Sequence, residues 1–233
     1  MIVFLAALIA CGNKKPANNN NASASRGGST VVLDGQEISV TWQDGDTFSY
    51  SANGQSKNAR LHGFNTLESY GPVHRWGNWR KSELLGIADA ATALAQSESW
   101  ECTTMEGGGG YGRNLIDCPG LRRRLIRQGL AHAYFLNADI PPELLAVQRT
   151  AIEGQRGMWE KGVPEGIITS LHSRTEDLNG SPYNRVCDVN TGRCMKIDHN
   201  ERYETCQDVT MQGSTMVYVP YENRYNNKPE CLN

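Results

Sequence analysis

The sequence predicts an α+β, mainly β fold. We expect a small closed five-stranded Greek-key barrel of the OB type with about three helices, followed by a small disulfide-rich C-terminal tail. Three observations carry this. Short β-branched or alternating segments are separated by Asp-Gly and Asn-Gly turns, three later stretches have helical character, and six cysteines remain once an N-terminal one is set aside.

The chain opens on an apolar run from Met1 to Ala10 that closes on Cys11. A membrane-spanning helix takes about 18–20 apolar residues, so the run is too short to span and reads as the hydrophobic part of an export signal. Leu8-Ile9-Ala10-Cys11 resembles a bacterial lipoprotein box. That resemblance implies lipidation at Cys11 and a membrane-anchored lipoprotein of the periplasm or cell surface; an ordinary cleaved signal, and hence secretion, is the alternative. Residues 12–29 are rich in Asn and Ser and hold almost nothing to bury, so they read as a disordered tether reaching roughly 25 Å.

A domain over 30–172 follows. Thr30–Leu33, Ile38–Trp42, Thr47–Tyr50 and Ala59–His62 read as an antiparallel meander. From Arg80 to Gln96, Leu84, Leu85, Ala88, Ala91, Leu94 and Ala95 recur at helical spacing. Ser99–Met105 and Arg113–Cys118 flank a glycine-rich tip and predict a hairpin. Centring that tip on Gly110 sets Cys102 opposite Cys118, and a cross-strand disulfide there would contribute about 3 kcal/mol. A second helix over Leu121–Gly129, a strand over Ala131–Tyr134 and a third helix from Pro142 to Gly154 complete the domain, with Met158-Trp159 packed against the barrel.

The tail, 173–233, has few apolar clusters and four cysteines: Cys187, Cys194, Cys206 and Cys231. Its core is too small to stand alone, so two disulfides in one of three connectivities would have to staple it. Zinc is the weaker reading of the cysteines, because neither a Cys-x2-Cys pair nor a nearby His-x3-5-His occurs.

The chemistry-bearing residues concentrate between Asp44 and Glu68. Asp44-Gly45-Asp46-Thr47 is followed, across a turn at Asn53-Gly54, by Arg60-Leu61-His62-Gly63-Phe64-Asn65-Thr66-Leu67-Glu68, and Tyr111-Gly112-Arg113 lies further on. Hard oxygen donors beside a forked cation suit a divalent metal and a phosphate. In order and spacing these segments resemble the staphylococcal-nuclease (thermonuclease) family, whose pattern is a DGDT strand, an R-x4-D-T-P-E turn and a YGR loop. The resemblance covers about residues 30–172. Two positions depart from it: Asn65 stands where the family has Asp, and Leu67 where it usually has Pro.

The resemblance implies metal-dependent hydrolysis of phosphodiester bonds in DNA and RNA, with 5′ O–P cleavage leaving 3′-phosphates, by a monomer. It implies Ca²⁺ held by the Asp46 and Asn65 side chains and the Thr66 carbonyl. Glu68 would accept a proton from the attacking water, and Arg60 and Arg113 would clamp the phosphate. Asn65 removes one negative charge from the ligand set, which points to a weaker metal site. The alternatives are a catalytically weakened OB-fold module that binds nucleic acid without cutting it, or a structural envelope lipoprotein whose tail does the work.

Net charge is −2, so attraction to nucleic acid must come from local patches. Arg123 and Arg127 share a helix face at i, i+4 and offer one such patch, with Tyr111 as a further contact to nucleic acid. Tyr70, His74, Trp76 and Trp79 offer rings for base stacking, packing being the stronger reading of the tryptophans.

Overall fold

The computed structural model describes residues 29–136, 140–176, 182–224 and 231–232. The export signal, Cys11 and the tether as far as residue 28 lie outside the described residues. The meander forms as expected: β1 (Ser29–Leu33), β2 (Gln36–Trp42), β3 (Thr47–Ala52) and β4 (Gln55–Leu61) pair antiparallel in sequence order. Asp34-Gly35 and Asn53-Gly54 turn two of the hairpins, with φ positive at both residues of each pair, the conformation whose twist matches that of the flanking strands.

Next come β5 (Phe64–Thr66), β6 (His74–Trp76), α1 (Lys81–Gln96), β7 (Trp100–Gly108), β8 (Asn114–Asp117), α2 (Pro119–Gln128), β9 (Ala131–Ala133) and α3 (Pro142–Glu153). The glycine-rich tip joins β7 to β8 as predicted, and Cys102 and Cys118 form a disulfide. α2 stops at Gly129, whose φ of 69° and close approach to the Arg156 carbonyl leave no room for a side chain.

The barrel closes on six strands, in the order β1-β2-β3-β4-β8-β7, and not on five. Both strands of the β7–β8 hairpin enter the ring: β7 pairs parallel with β1, and β8 pairs parallel with β4. Strand β9 stays outside the ring and pairs with β5. Alternation along the strands fills the interior, so that Val40 and Trp42 of β2 and Ala59 and Leu61 of β4 point inward with Phe48 and Ile116. Helix α1 lays Ala91 and Ala95 on this core and Leu84 and Ala88 on a second cluster with Trp76, Trp79 and Met158.

The tail shares sheets with the preceding residues. β10 (Gly166–Ser170), β11 (Tyr183–Asp188) and β12 (Cys194–Asp198) form one antiparallel sheet. β13 (Asp208–Met211) and β14 (Ser214–Val217) form another together with β6. Disulfides join Cys187 to Cys194 and Cys206 to Cys231, which selects one of the three possible connectivities. With these staples a modest core suffices: Ile168, Leu171, Val186, Met216 and Tyr218. Three disulfides fit an oxidising, extracellular or secretory setting. Among the described residues no helix is long and apolar enough to cross a membrane.

Candidate functional site

The turn between β2 and β3 begins the site. Asp46 N–H donates to Asp44 Oδ1 at 3.0 Å, folding Asp44-Gly45-Asp46 on itself. A Cβ on Gly45 would stand 2.7 Å from Thr66 Cγ2 and 2.9 Å from Ala91 Cβ. Only glycine lets this turn lie against both β5 and α1, and that contact brings Asp46 to Thr66. Asp46 is buried, and its Oδ2 accepts from the Thr66 N–H at 2.8 Å and from Thr66 Oγ1 at 3.2 Å.

Arg60 follows from strand alternation. Its neighbours Ala59 and Leu61 point into the barrel, so Arg60 faces the other way, opposite Thr47 in the register. Its guanidinium reaches both predicted metal-ligand side chains: Nη1 donates to Asp46 Oδ1, and Nη2 donates to Asn65 Oδ1 at 2.6 Å. Asn65 Nδ2 in turn donates to the Thr66 carbonyl at 2.6 Å. Hydrogen bonds therefore join Asp46, Arg60, Asn65 and Thr66 into one group.

The glycine-rich tip supplies the second cation. A Cβ on Gly109 would meet Arg60 Cβ at 2.7 Å, so the absence of a side chain lets the tip settle beside Arg60. Arg113 there donates to the Gly110 carbonyl at 3.2 Å and the Gly109 carbonyl at 3.0 Å, with Tyr111 beside it.

Arg60, Asn65, Glu68, Tyr111 and Arg113 all line one cleft of about 600 Å³, together with Asp44. Burial raises the pKa of Glu68 to about 7, and the Asp44 carboxylate adds to the rise. Burial likewise pushes Asp44 upward, opposed by the Arg60 charge. Burial lowers Arg60 from its ordinary value, against the attraction of Tyr134 and Asp44.

Not every predicted residue reaches the cleft. The predicted ligands Asp46 and Thr66 are buried and do not line it, and neither do Arg123 and Arg127, which are exposed on α2. Trp76 and Trp79 are buried and donate their indole N–H groups to the Met158 carbonyl, so they pack and do not stack on a ligand. His74 is buried too, whereas Tyr70 lines the cleft.

The opposite wall comes from β10, β11 and the end of the tail, which sequence reasoning assigned no part in the site. Tyr134 joins the two walls. The Arg60 guanidinium lies 5.4 Å from its ring centre, and Arg185 Nη1 donates to its hydroxyl at 3.1 Å. Arg224 also lines the cleft but is bonded inward, to the Leu171 carbonyl at 2.7 Å and to Glu176 at 2.8 Å. The one signal for Arg185 was its alternation with Tyr183, which places both on one strand face without saying what that face meets.

The predicted ligand set of Asp46, Asn65 and Thr66 offers carboxylate, amide and carbonyl oxygens, the donor chemistry of a hard cation. For the two carboxyls that line the cleft, Asp44 and Glu68, burial is the main cause of the raised pKa, with the Asp44 charge adding to that of Glu68. Among the described residues no three His, Cys, Asp or Glu side chains gather into a metal cluster, so such a cation would depend on the amide and carbonyl oxygens as well. No model of a known protein family matches this chain, and no curated protein matches it.

Proposed function

We propose that this chain is an exported, metal-dependent nuclease that hydrolyses phosphodiester bonds of DNA and RNA, cutting the 5′ O–P bond and leaving 3′-phosphates. One observation carries the reading. Residues from three separated motifs, Asp44 of the first, Arg60, Asn65 and Glu68 of the second and Arg113 of the third, line the same cleft. The resemblance of those motifs to the thermonuclease family supplies the reaction. We read the six-stranded ring as an OB-type Greek-key barrel with one added strand, supported by its opening meander and its parallel β4–β8 closure.

Glu68 takes a proton from the attacking water; a pKa of about 7 makes it a proton acceptor matched to neutral pH. Arg60 and Arg113 hold the phosphoryl oxygens with planar forks and offset the charge that grows on them in the transition state. Asp46, the Asn65 amide oxygen and the Thr66 carbonyl would hold Ca²⁺, which supplies Lewis-acid polarisation of a phosphoryl oxygen when bound. The protein acts as a monomer, held at a membrane surface through lipidated Cys11 or released after cleavage of the signal.

A second reading has its own support. Arg60 is already bonded to both Asp46 and Asn65, and Asn65 brings no charge, so the same cleft would serve a module that binds nucleic acid without cutting it. Incubation of plasmid DNA with the purified protein in Ca²⁺, and again in chelator, separates the two. Metal-dependent nicking that disappears in Glu68→Ala establishes the nuclease. Retained gel-shift binding without nicking establishes the binding module.

A further inference from the structure

The wall opposite Glu68 carries a chain of hydrogen bonds that the nuclease reading leaves unused. Ser170 Oγ lies 2.8 Å from His172 Nε2, and His172 Nδ1 lies 2.9 Å from Glu176 Oε2. Ser170 and His172 both line the cleft, and His172 and Glu176 are otherwise buried. A register shift between Ile168 and Ser170 at the end of β10 aims the hydroxyl.

The bonding sets the direction of every proton in this chain. Glu176 Oε1 accepts from Tyr218 at 2.8 Å and from the Arg224 guanidinium at 2.8 Å, which holds the carboxyl ionised. An ionised carboxylate only accepts, so His172 Nδ1 carries the proton. In the neutral ring Nε2 then has a free lone pair, and Ser170 must donate to it. That is the arrangement of an activated hydroxyl: nucleophile, base, and a buried acid that fixes the tautomer.

Arg185 completes the arrangement. It is the cross-strand partner of Ser170, so the two side chains rise from the same sheet face, and both line the cleft. Its side chain bonds the hydroxyls of Tyr134 and Tyr183, at 3.1 Å and 3.4 Å, and among the described residues no carboxylate forms an ion pair with it.

We infer that Ser170, His172 and Glu176 form a second hydrolytic centre, specific for phosphoric esters, with Arg185 holding the phosphoryl oxygens. Ser170 Oγ attacks phosphorus while His172 Nε2 takes its proton. The ester bond to the leaving oxygen breaks, and that oxygen receives the proton from His172. Water then attacks the phosphoserine, giving a proton to His172 as its oxygen bonds phosphorus. The Oγ–P bond breaks, and Oγ regains the proton. Metal has no part in either half, so this centre stands or falls independently of the Ca²⁺-dependent one.

The test is reaction of the full chain with diisopropyl fluorophosphate in excess chelator, with the adduct located by peptide mass mapping. The expected result is one adduct, on Ser170, in the native protein and none in urea with the disulfides intact. Labelling should slow at least about 100-fold in His172→Gln, the usual scale of general-base assistance. No adduct on Ser170, equal labelling of native and unfolded chain, or His172→Gln labelled at the unaltered rate would each overturn the inference. The first two outcomes are read on the unsubstituted protein and do not depend on how His172→Gln folds.

Discussion

Asn65 Oδ1 accepts a 2.6 Å hydrogen bond from Arg60 Nη2, which ties a predicted metal ligand to a predicted phosphate clamp. The same guanidinium also bonds Asp46, so one residue holds both ligand side chains in the arrangement described. In the proposed nuclease, phosphate and metal binding would thereby be coupled through Arg60: whatever draws the guanidinium toward a phosphate would free oxygens for a cation.

Asn65→Asp tests this coupling. The substitution replaces Nδ2, which donates to the Thr66 carbonyl at 2.6 Å, with an oxygen, and sets two acceptors against each other. A cation between them relieves the clash and gains a charged ligand. Isothermal titration should show Ca²⁺ binding about tenfold tighter or more, a change of about 1.4 kcal/mol. An unaltered titration would show that Asn65 is not a ligand.

In the proposed mechanism Glu68 sets the pH profile. As the base it must be deprotonated, so kcat/KM for nucleic acid should rise with pH through about 7, far above the ordinary carboxylate range. Glu68→Gln should lower the rate about 100-fold or more above pH 7 and remove that rise, with the difference shrinking as pH falls below 7. Stability moves the other way. A carboxyl whose folded pKa lies above its unfolded value of 4.5 binds more protons when native, so stability falls as pH rises from there to about 7. Urea denaturation of Glu68→Gln should lack that part of the slope.

His74 governs the acid side. It is buried, neither ring nitrogen has a hydrogen-bond partner among the described residues, and burial lowers its pKa to about 3. The unfolded chain binds a proton that the native chain refuses, so stability is full above the unfolded pKa of 6.5 and is lost as pH falls toward 3. His74→Phe removes the titrating group and keeps the ring beside Trp76. Its acid-unfolding midpoint, followed by circular dichroism, should move to lower pH.

The Cys102–Cys118 bridge closes a loop of sequence separation 16 at the point where the hairpin joins the barrel. For a loop of that size the chain-entropy estimate is about 3 kcal/mol. The double substitution to serine also leaves two buried hydroxyls, so the loss in urea denaturation should reach about 3 kcal/mol or more.

Several parts of this architecture were legible in the residues. Asp34-Gly35 and Asn53-Gly54 fixed two hairpins, because so few residues tolerate positive φ at consecutive positions. The Leu and Ala stripe marked α1, and Gly129 marked the end of α2. The spacing around Gly110 paired Cys102 with Cys118, since hairpin register is local. The motif residues Arg60, Asn65, Glu68, Tyr111 and Arg113 did gather on one cleft.

The sequence by itself determined the opening meander, the β7–β8 hairpin, β9, the three helices and one disulfide, because each depends on neighbours a few residues apart or on one hairpin. The tertiary structure alone decided the sixth barrel strand, the pairing of the tail cysteines, the bond from Arg60 to its supposed metal ligands, and the wall built by Ser170, His172 and Arg185. The last of these depends on surfaces that meet across more than a hundred residues, as Arg60 and Arg185 do at Tyr134. No local pattern encodes such a meeting, because it is selected by the packing of the whole chain.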